Sequence, residues 1–368
     1  MKITAIETSI ISIPFDMGGP PQLFAGQRWT HIESLLVKVI TDTGVVGWGE
    51  AFGHVVNKGT KATLDTLVAP LFIGRDPRNI NGLMRDMQQA LHLLGRNGSV
   101  VYALSGIDIA LWDIAGKLAN QPIYRLLGGS AREELTAYQC LLHYDDSAVL
   151  ARNCAAGYEA GYRLLKLHQT TREDFLAAKA AVGPDAHVMF DVNCPWTVEE
   201  AVRMATSLKH DGVYWFEEPV WPPEDHEGLA RVRREGIPIA AGENAAGLFD
   251  FKSMMDAGAI DIAQPSVIKV GGITEFRRIA ALADAYGVKV VPHSPYLGPG
   301  LMATLHLAAA MPGNPPIEYL WMETESQLYG DYTVRKGRIP VPQGPGLGCE
   351  PDPAVIQRYC TAGPTVIR

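Results

Sequence analysis

Cysteine is scarce. The 368 residues include five, Cys140, Cys154, Cys194, Cys349 and Cys360, an odd number with no CxxC pair. Neither a disulfide framework nor a zinc knuckle follows from that spacing, and reduced thiols in a cytoplasmic protein are expected. No apolar run reaches about 18 residues, so no membrane span is expected. The N-terminal MKITAIETSIISIPF alternates as a strand does, without the long apolar stretch and small-residue cleavage site of a signal peptide. Positive charge is also in short supply. Lys and Arg number 32 against 40 Asp and Glu, a net charge of -8, with no basic run. Nucleic acid and anionic membrane are therefore not expected partners. An acidic chain that handles an acidic small molecule needs a cation on site.

The 47% apolar and 20% charged fractions exclude a disordered or fibrous chain, and the length supports one large domain or two. The first fifty residues read as strands. Ile3–Ile13 precedes a Gly/Pro-rich stretch, Met17–Gln27, and Leu35–Thr41 and Val45–Glu50 flank a DTG turn as a hairpin. Helical patterns follow over Lys61–Phe72, Ile80–Gly95 and Val100–Leu118, which makes an α+β unit. From Leu135 a short apolar strand and a helix alternate eight times. The strand cores are Thr136–Cys140, Leu164–Leu167, Val188–Phe190, Trp215–Phe216, Ile239–Ala241, Ile260–Ala263, Val288–Val291 and Ile317–Leu320. Eight such steps favour a closed parallel α/β barrel over an open sheet. After residue 325 the chain is Gly/Pro-rich and reads as a tail packing back on the first domain. The expected boundaries are 1–127 with 326–368 for the α+β domain and 128–325 for the barrel.

Functional side chains of such barrels stand at the C-terminal ends of the strands. Those positions hold Lys166 and His168, Asp191 and Asn193, Glu217, Glu243, Ser266 and Lys269, His293, and Glu318. Asp191, Glu217 and Glu243 are each 26 residues apart (217 − 191 and 243 − 217). One acid at the same place in three successive β/α units converges on one point of the rim. Bare carboxylates there would repel one another, and a divalent cation removes the conflict. Oxygen ligands select a hard metal, Mg²⁺ or Mn²⁺, over zinc. Singly, each acid could be a helix cap or a solvated loop residue. Their common phase argues against that.

DVN (191–193), FEEP (216–219) and GEN (242–244), followed by KVGG (269–272) and PHSP (292–295), resemble the enolase superfamily, mandelate racemase/muconate lactonizing enzyme family. ALSGIDIALWDIAGKLANQPIYRLLGG (103–129) and PVPQGPGLG (340–348) resemble that family's link into the barrel and its tail. The resemblance implies a (β/α)7β TIM-type barrel with an α+β capping domain. It also implies Mg²⁺ on Asp191, Glu217 and Glu243, and abstraction of the proton α to a carboxylate through an enediolate. The family pattern on strand two is Lys-x-Lys; here it is Lys166-x-His168, with the imidazole at the base position. Lys166 is expected to lower the pKa of His168 and to help hold the substrate carboxylate. His293 matches the family histidine on strand seven, but Ser266 replaces the Asp that orients it in the mandelate racemase group. His293 is then a weaker base and a candidate acid or orienting group. Glu318 matches an acid that hydrogen-bonds the substrate carboxylate when protonated. Asn193 is a substrate contact or supports one, and Lys269 is a substrate contact or a structural ion-pair partner.

Two segments, 17–31 and 51–58, resemble the family's mobile loops over the barrel mouth. They carry Arg28, Trp29 and His54 as expected substrate contacts, with His143 after strand one. Racemisation needs a competent base on each face, whereas dehydration needs one base and one acid. The lone Ser266 favours a Mg-dependent acid-sugar dehydratase in which His168 and His293 share base and acid roles. A racemase, epimerase or cycloisomerase by the same enediolate is the alternative. A catalytically silent metal- or ligand-binding homologue is the reading from a different class. The resemblance also implies a homo-oligomer.

Overall fold

The computed structural model describes all residues, 1–368. The N-terminal half-sheet forms because long β-branched stretches alternate a buried face with a lateral one. Strand β1 (Ile3–Asp16) pairs antiparallel with β2 (His31–Thr41), and β2 with β3 (Val46–Ala51), through the turn at Gly44, whose φ of 83° suits glycine. The Met17–Gln27 stretch contains a small hairpin, Leu23–Phe24 with Gln27–Arg28, that projects from this sheet.

Three helical segments follow. The expected helix 61–72 is a composite: α1 (Asn57–Thr63), a π turn over Leu64–Val68 and a 3-10 turn over Ala69–Phe72. Pro70 has no N–H to donate, so the α ladder cannot run through it. Then come α2 (Ile80–Ala90) and α3 (Ser99–Ala119). Helix α3 is long and apolar enough to cross a membrane, yet most of it is buried inside this fold. It lies directly on β3. A Cβ at Gly49 would come within 1.9 Å of the Gly106 carbonyl oxygen, which is why the strand reads GWGE.

The barrel strands are β4 (Glu134–Cys140), β5 (Leu164–His168), β6 (His187–Asp191), β7 (Phe216–Glu217), β8 (Ile239–Ala241), β9 (Ile262–Ala263), β10 (Lys289–Val290) and β11 (Ile317–Leu320). They form a curled parallel sheet in chain order, with β11 returning to pair with β4. The remaining seam, between β10 and β11, is bridged by Ser294: its N–H donates to Glu318 Oε2 at 2.9 Å and its hydroxyl to the Glu318 carbonyl at 3.1 Å. The tail divides its contacts. Arg338–Pro340 pairs with β4 of the barrel, while β12 (Cys360–Ile367) adds an edge to β1.

Buried acids on α3 join the two domains and the tail. Asp108 accepts from Thr274 N–H (3.0 Å) at the start of barrel helix α4 (Gly272–Tyr286). Asp113 accepts from Trp48 N–H (2.9 Å), Leu347 N–H (2.8 Å) and Lys117 (2.8 Å). At the other side of the seam Glu50, at the end of β3, accepts from Gly300 N–H at 2.9 Å. Its remaining partner is the Ser34 hydroxyl rather than a cation, and burial pushes its pKa up to about 7. The folded state therefore holds a proton that the unfolded chain releases near 4.5. This contribution to stability is complete below that value and is lost as pH rises towards 7. Comparing urea unfolding of wild type and E50Q, the wild-type advantage should fall by about 1–3 kcal/mol over that window.

Candidate active site

Strand pairing delivers the acids to one rim. His168 sits opposite Asp191 across β5 and β6, and Asp191 opposite Glu217 across β6 and β7. Alternation sends Lys166 and His168 to the same face of β5. Lys166 is fully buried at the centre of the cluster, with Nζ 2.9 Å from Asp191, 2.7 Å from Glu217 and 2.7 Å from Glu318. Burial works against its charge, but the three carboxylates outweigh burial and hold its pKa well above the ordinary lysine value. Glu217 completes its contacts with the Trp215 indole N–H at 2.8 Å. Its own pKa is pushed well up by burial and by Asp191.

His168 is the most exposed member of this group. Its Nδ1 lies 2.6 Å from the Leu141 carbonyl oxygen, so that nitrogen carries the proton, and Nε2 turns inward, 3.1 Å from Asp191 Oδ2. Here the structure corrects the sequence expectation. Lys166 does lower the His168 pKa, but burial and Lys166 together are outweighed by Asp191, and the net direction is upward. Two of the three carboxylates around the Lys166 ammonium, Asp191 and Glu217, are expected metal ligands. Glu318 is corrected as well. Burial favours its protonated form, but Lys166 and His293 keep its pKa below the ordinary value, so it is ionised and acts as an acceptor.

On the far side of the cluster His293 Nε2 lies 2.6 Å from Glu243 Oε2. Burial would raise the Glu243 carboxyl, yet His293 and Lys269 hold it down at about 2. His293 Nδ1 is buried without a hydrogen-bond partner, and so is the Ser266 hydroxyl. The serine thus gives the ring no support. Asp191 and Glu217 turn to Lys166 and Glu243 turns to His293, so no three of these side chains converge in ligating geometry. The donor set nevertheless suits a hard divalent cation. Asp191, Glu217, Glu218, Glu243 and Glu318 are gathered around only two buried lysines, Lys166 and Lys269, and Asp191 Oδ2 has no well-formed hydrogen bond.

The sequence profile of the mandelate racemase/muconate lactonizing enzyme N-terminal domain matches residues 5–128, and that of the enolase C-terminal domain-like family matches 149–355. The chain belongs to this family. A D-galactarolactone cycloisomerase of Agrobacterium fabrum is 35% identical over 95% of this chain and 96% of its own. A D-xylonate dehydratase of Haloferax volcanii is 34% identical over 90% and 86%. The crystal structure of the 3,6-anhydro-D-galactonate cycloisomerase from Zobellia galactanivorans superposes with a TM-score of 0.84 at 30% identity, covering 98% of this chain and all of that one. Membership of the mandelate racemase/muconate lactonizing enzyme family makes the chain an enzyme of the enolase superfamily.

The other expected contacts divide. Asn193, at a φ of 53°, spends its backbone and side-chain N–H groups on Asp191 Oδ1, both at 3.1 Å, and so orients that carboxylate. His143 Nδ1 meets the His168 carbonyl at 2.7 Å and its Nε2 meets Asp145, so it supports the β5 terminus. His54 does reach the mouth. Burial, then His293 and Lys269, lower its pKa to about 4, so it is neutral there. It packs edge-on against Trp29 (5.8 Å) and Phe52 (5.0 Å), and Lys269 Nζ lies 4.9 Å over the Phe52 ring. Arg28 is exposed on its hairpin with no partner in the site. Sequence reasoning missed Trp215 and Glu218. Trp215 could have been found, because it lies two residues before Glu217 and must share its face. Glu218 sits at a φ of 47° and accepts from Gly242 N–H (2.9 Å) and Cys194 (3.1 Å), a turn that alternation does not disclose.

Proposed function

We propose that the protein is a Mg-dependent dehydratase of acid sugars, acting on a 2,3-dihydroxy carboxylate. Asp191, Glu217 and Glu243 would hold the ion, which when bound stabilises the negative charge that develops on the substrate carboxylate. His168 Nε2 takes the proton from C2, and the C2–H electron pair becomes the enediolate. The Leu141 carbonyl stabilises the resulting imidazolium through Nδ1 and keeps the ring in its basic tautomer. Lys166 adds positive charge beneath the developing anion. As the enediolate collapses, the C3–O bond breaks and His293 protonates the departing hydroxyl, releasing water. The enol of a 2-keto-3-deoxy acid remains, and it ketonises by taking a solvent proton at C3.

One observation carries the division of labour. The distal nitrogen of His168 has an acceptor at 2.6 Å, whereas the distal nitrogen of His293 has none. His168 is thereby braced as the base, and His293 is left to act as the acid. Cycloisomerisation by the same enolisation is a second reading, favoured by the D-galactarolactone cycloisomerase at 35% identity. A panel containing D-xylonate, arabinonate and D-galactarolactone, incubated with enzyme and Mg²⁺, separates the two. A product lighter by one water that forms a semicarbazone supports dehydration. A product of unchanged mass with an altered ring supports cycloisomerisation. If every member of the panel is recovered intact, the acid-sugar assignment is wrong.

A further inference from the structure

The segment that carries His293 is held by an array of hydroxyl and carboxylate contacts. His293 donates its main-chain N–H to the Pro265 carbonyl at 3.3 Å, and its carbonyl accepts from the Tyr296 hydroxyl at 2.9 Å. Tyr296 is only 2% exposed. Its oxygen lies 3.3 Å from the Thr304 hydroxyl, which donates to the Gly300 carbonyl at 2.8 Å, one turn back on its own helix (Pro299–Ala310). Beyond this, Ser294 is tied to Glu318, and Gly300 to Glu50 of the capping sheet. The only part of His293 with a charged partner is Nε2, and that partner is Glu243.

We propose that Tyr296 is the positioning residue for His293, fixing the acid through its main-chain carbonyl where no side chain supports the ring from behind. The inference rests on the dehydratase reading, in which His293 protonates the departing hydroxyl. A buried phenol whose oxygen meets both the His293 carbonyl and the Thr304 hydroxyl is a costly arrangement to keep for packing alone, since phenylalanine would fill the same volume. The contact acts on the peptide group of the catalytic histidine itself. A displacement of about 1 Å in such a group costs about a hundredfold in rate. Because His168 is anchored separately to Leu141, the loss should fall on protonation of the leaving group and spare abstraction of the α proton.

Y296F tests this, since it deletes only the oxygen. With whichever acid of the panel the wild type consumes, kcat should fall about ten- to a hundredfold with KM within about twofold. In D₂O, α-deuterium in recovered substrate should rise relative to keto product, because enolisation outruns elimination. An unchanged kcat, or an equal fall in exchange and elimination, would overturn the assignment. Imidazole ¹H–¹⁵N spectra of the ligand-free protein provide a readout that needs no substrate. The His293 ring signals should shift or broaden in Y296F while those of His168 stay in place. Unaltered His293 signals would overturn the proposal even if the panel yields no product, and an empty panel with a displaced His293 signal would instead reject the dehydratase reading.

Discussion

H168N lowers turnover of the accepted acid sugar by about 10²–10⁴-fold, the range that one general base contributes. Asparagine can still donate to the Leu141 carbonyl and occupy the β5 terminus, but its amide has no basic nitrogen to receive the C2 proton. The expected pattern is a fall in kcat with little change in KM, because the interaction lost is one made in the transition state. Isothermal titration with Mg²⁺ should show binding retained, which separates a missing base from a disordered site. A rise in KM with kcat preserved would make His168 a binding residue. Full activity in H168N would leave only a ligand-binding role for this position.

E217Q abolishes Mg²⁺-dependent activity and removes the stabilisation that the ion confers. The carboxylate is buried beside Asp191, and burial and Asp191 push its pKa well up against the pull of Lys166. Glutamine keeps the volume but has a single oxygen, so it can accept from Lys166 or from the Trp215 N–H and not from both. Adding Mg²⁺ should raise the wild-type midpoint by mass action and leave the variant unmoved. A wild-type midpoint that ignores Mg²⁺ would contradict the assignment of Asp191, Glu217 and Glu243 as the ion's ligands.

Much of this architecture is legible in the sequence because each β/α unit repeats one geometry. That repeat puts Asp191, Glu217 and Glu243 in phase, and the pairing of β5 to β7 places His168, Asp191 and Glu217 side by side. Strand ends are less legible. The ladders of β9 and β10 are two residues each, shorter than the apolar runs Ile260–Ala263 and Val288–Val291 that announce them. Pairing between side chains from distant strands is not written in local pattern at all. Lys166 lies among Asp191, Glu217 and Glu318, since a buried ammonium is tolerable only where acids surround it. The same pairing ionises Glu318. Arg28, expected as a substrate contact from the loop it occupies, is exposed on a hairpin whose Phe24 ring lies 6.3 Å from that of His54.

The account stands on enolisation next to a carboxylate followed by loss of water. The most direct test is an NMR-monitored reaction in D₂O with Mg²⁺ and the acid that the panel identifies. The predicted product is a 2-keto-3-deoxy acid with one solvent deuterium at C3. A product that retains the substrate's C2 hydrogen, or carries no deuterium at C3, would contradict abstraction of that proton by His168.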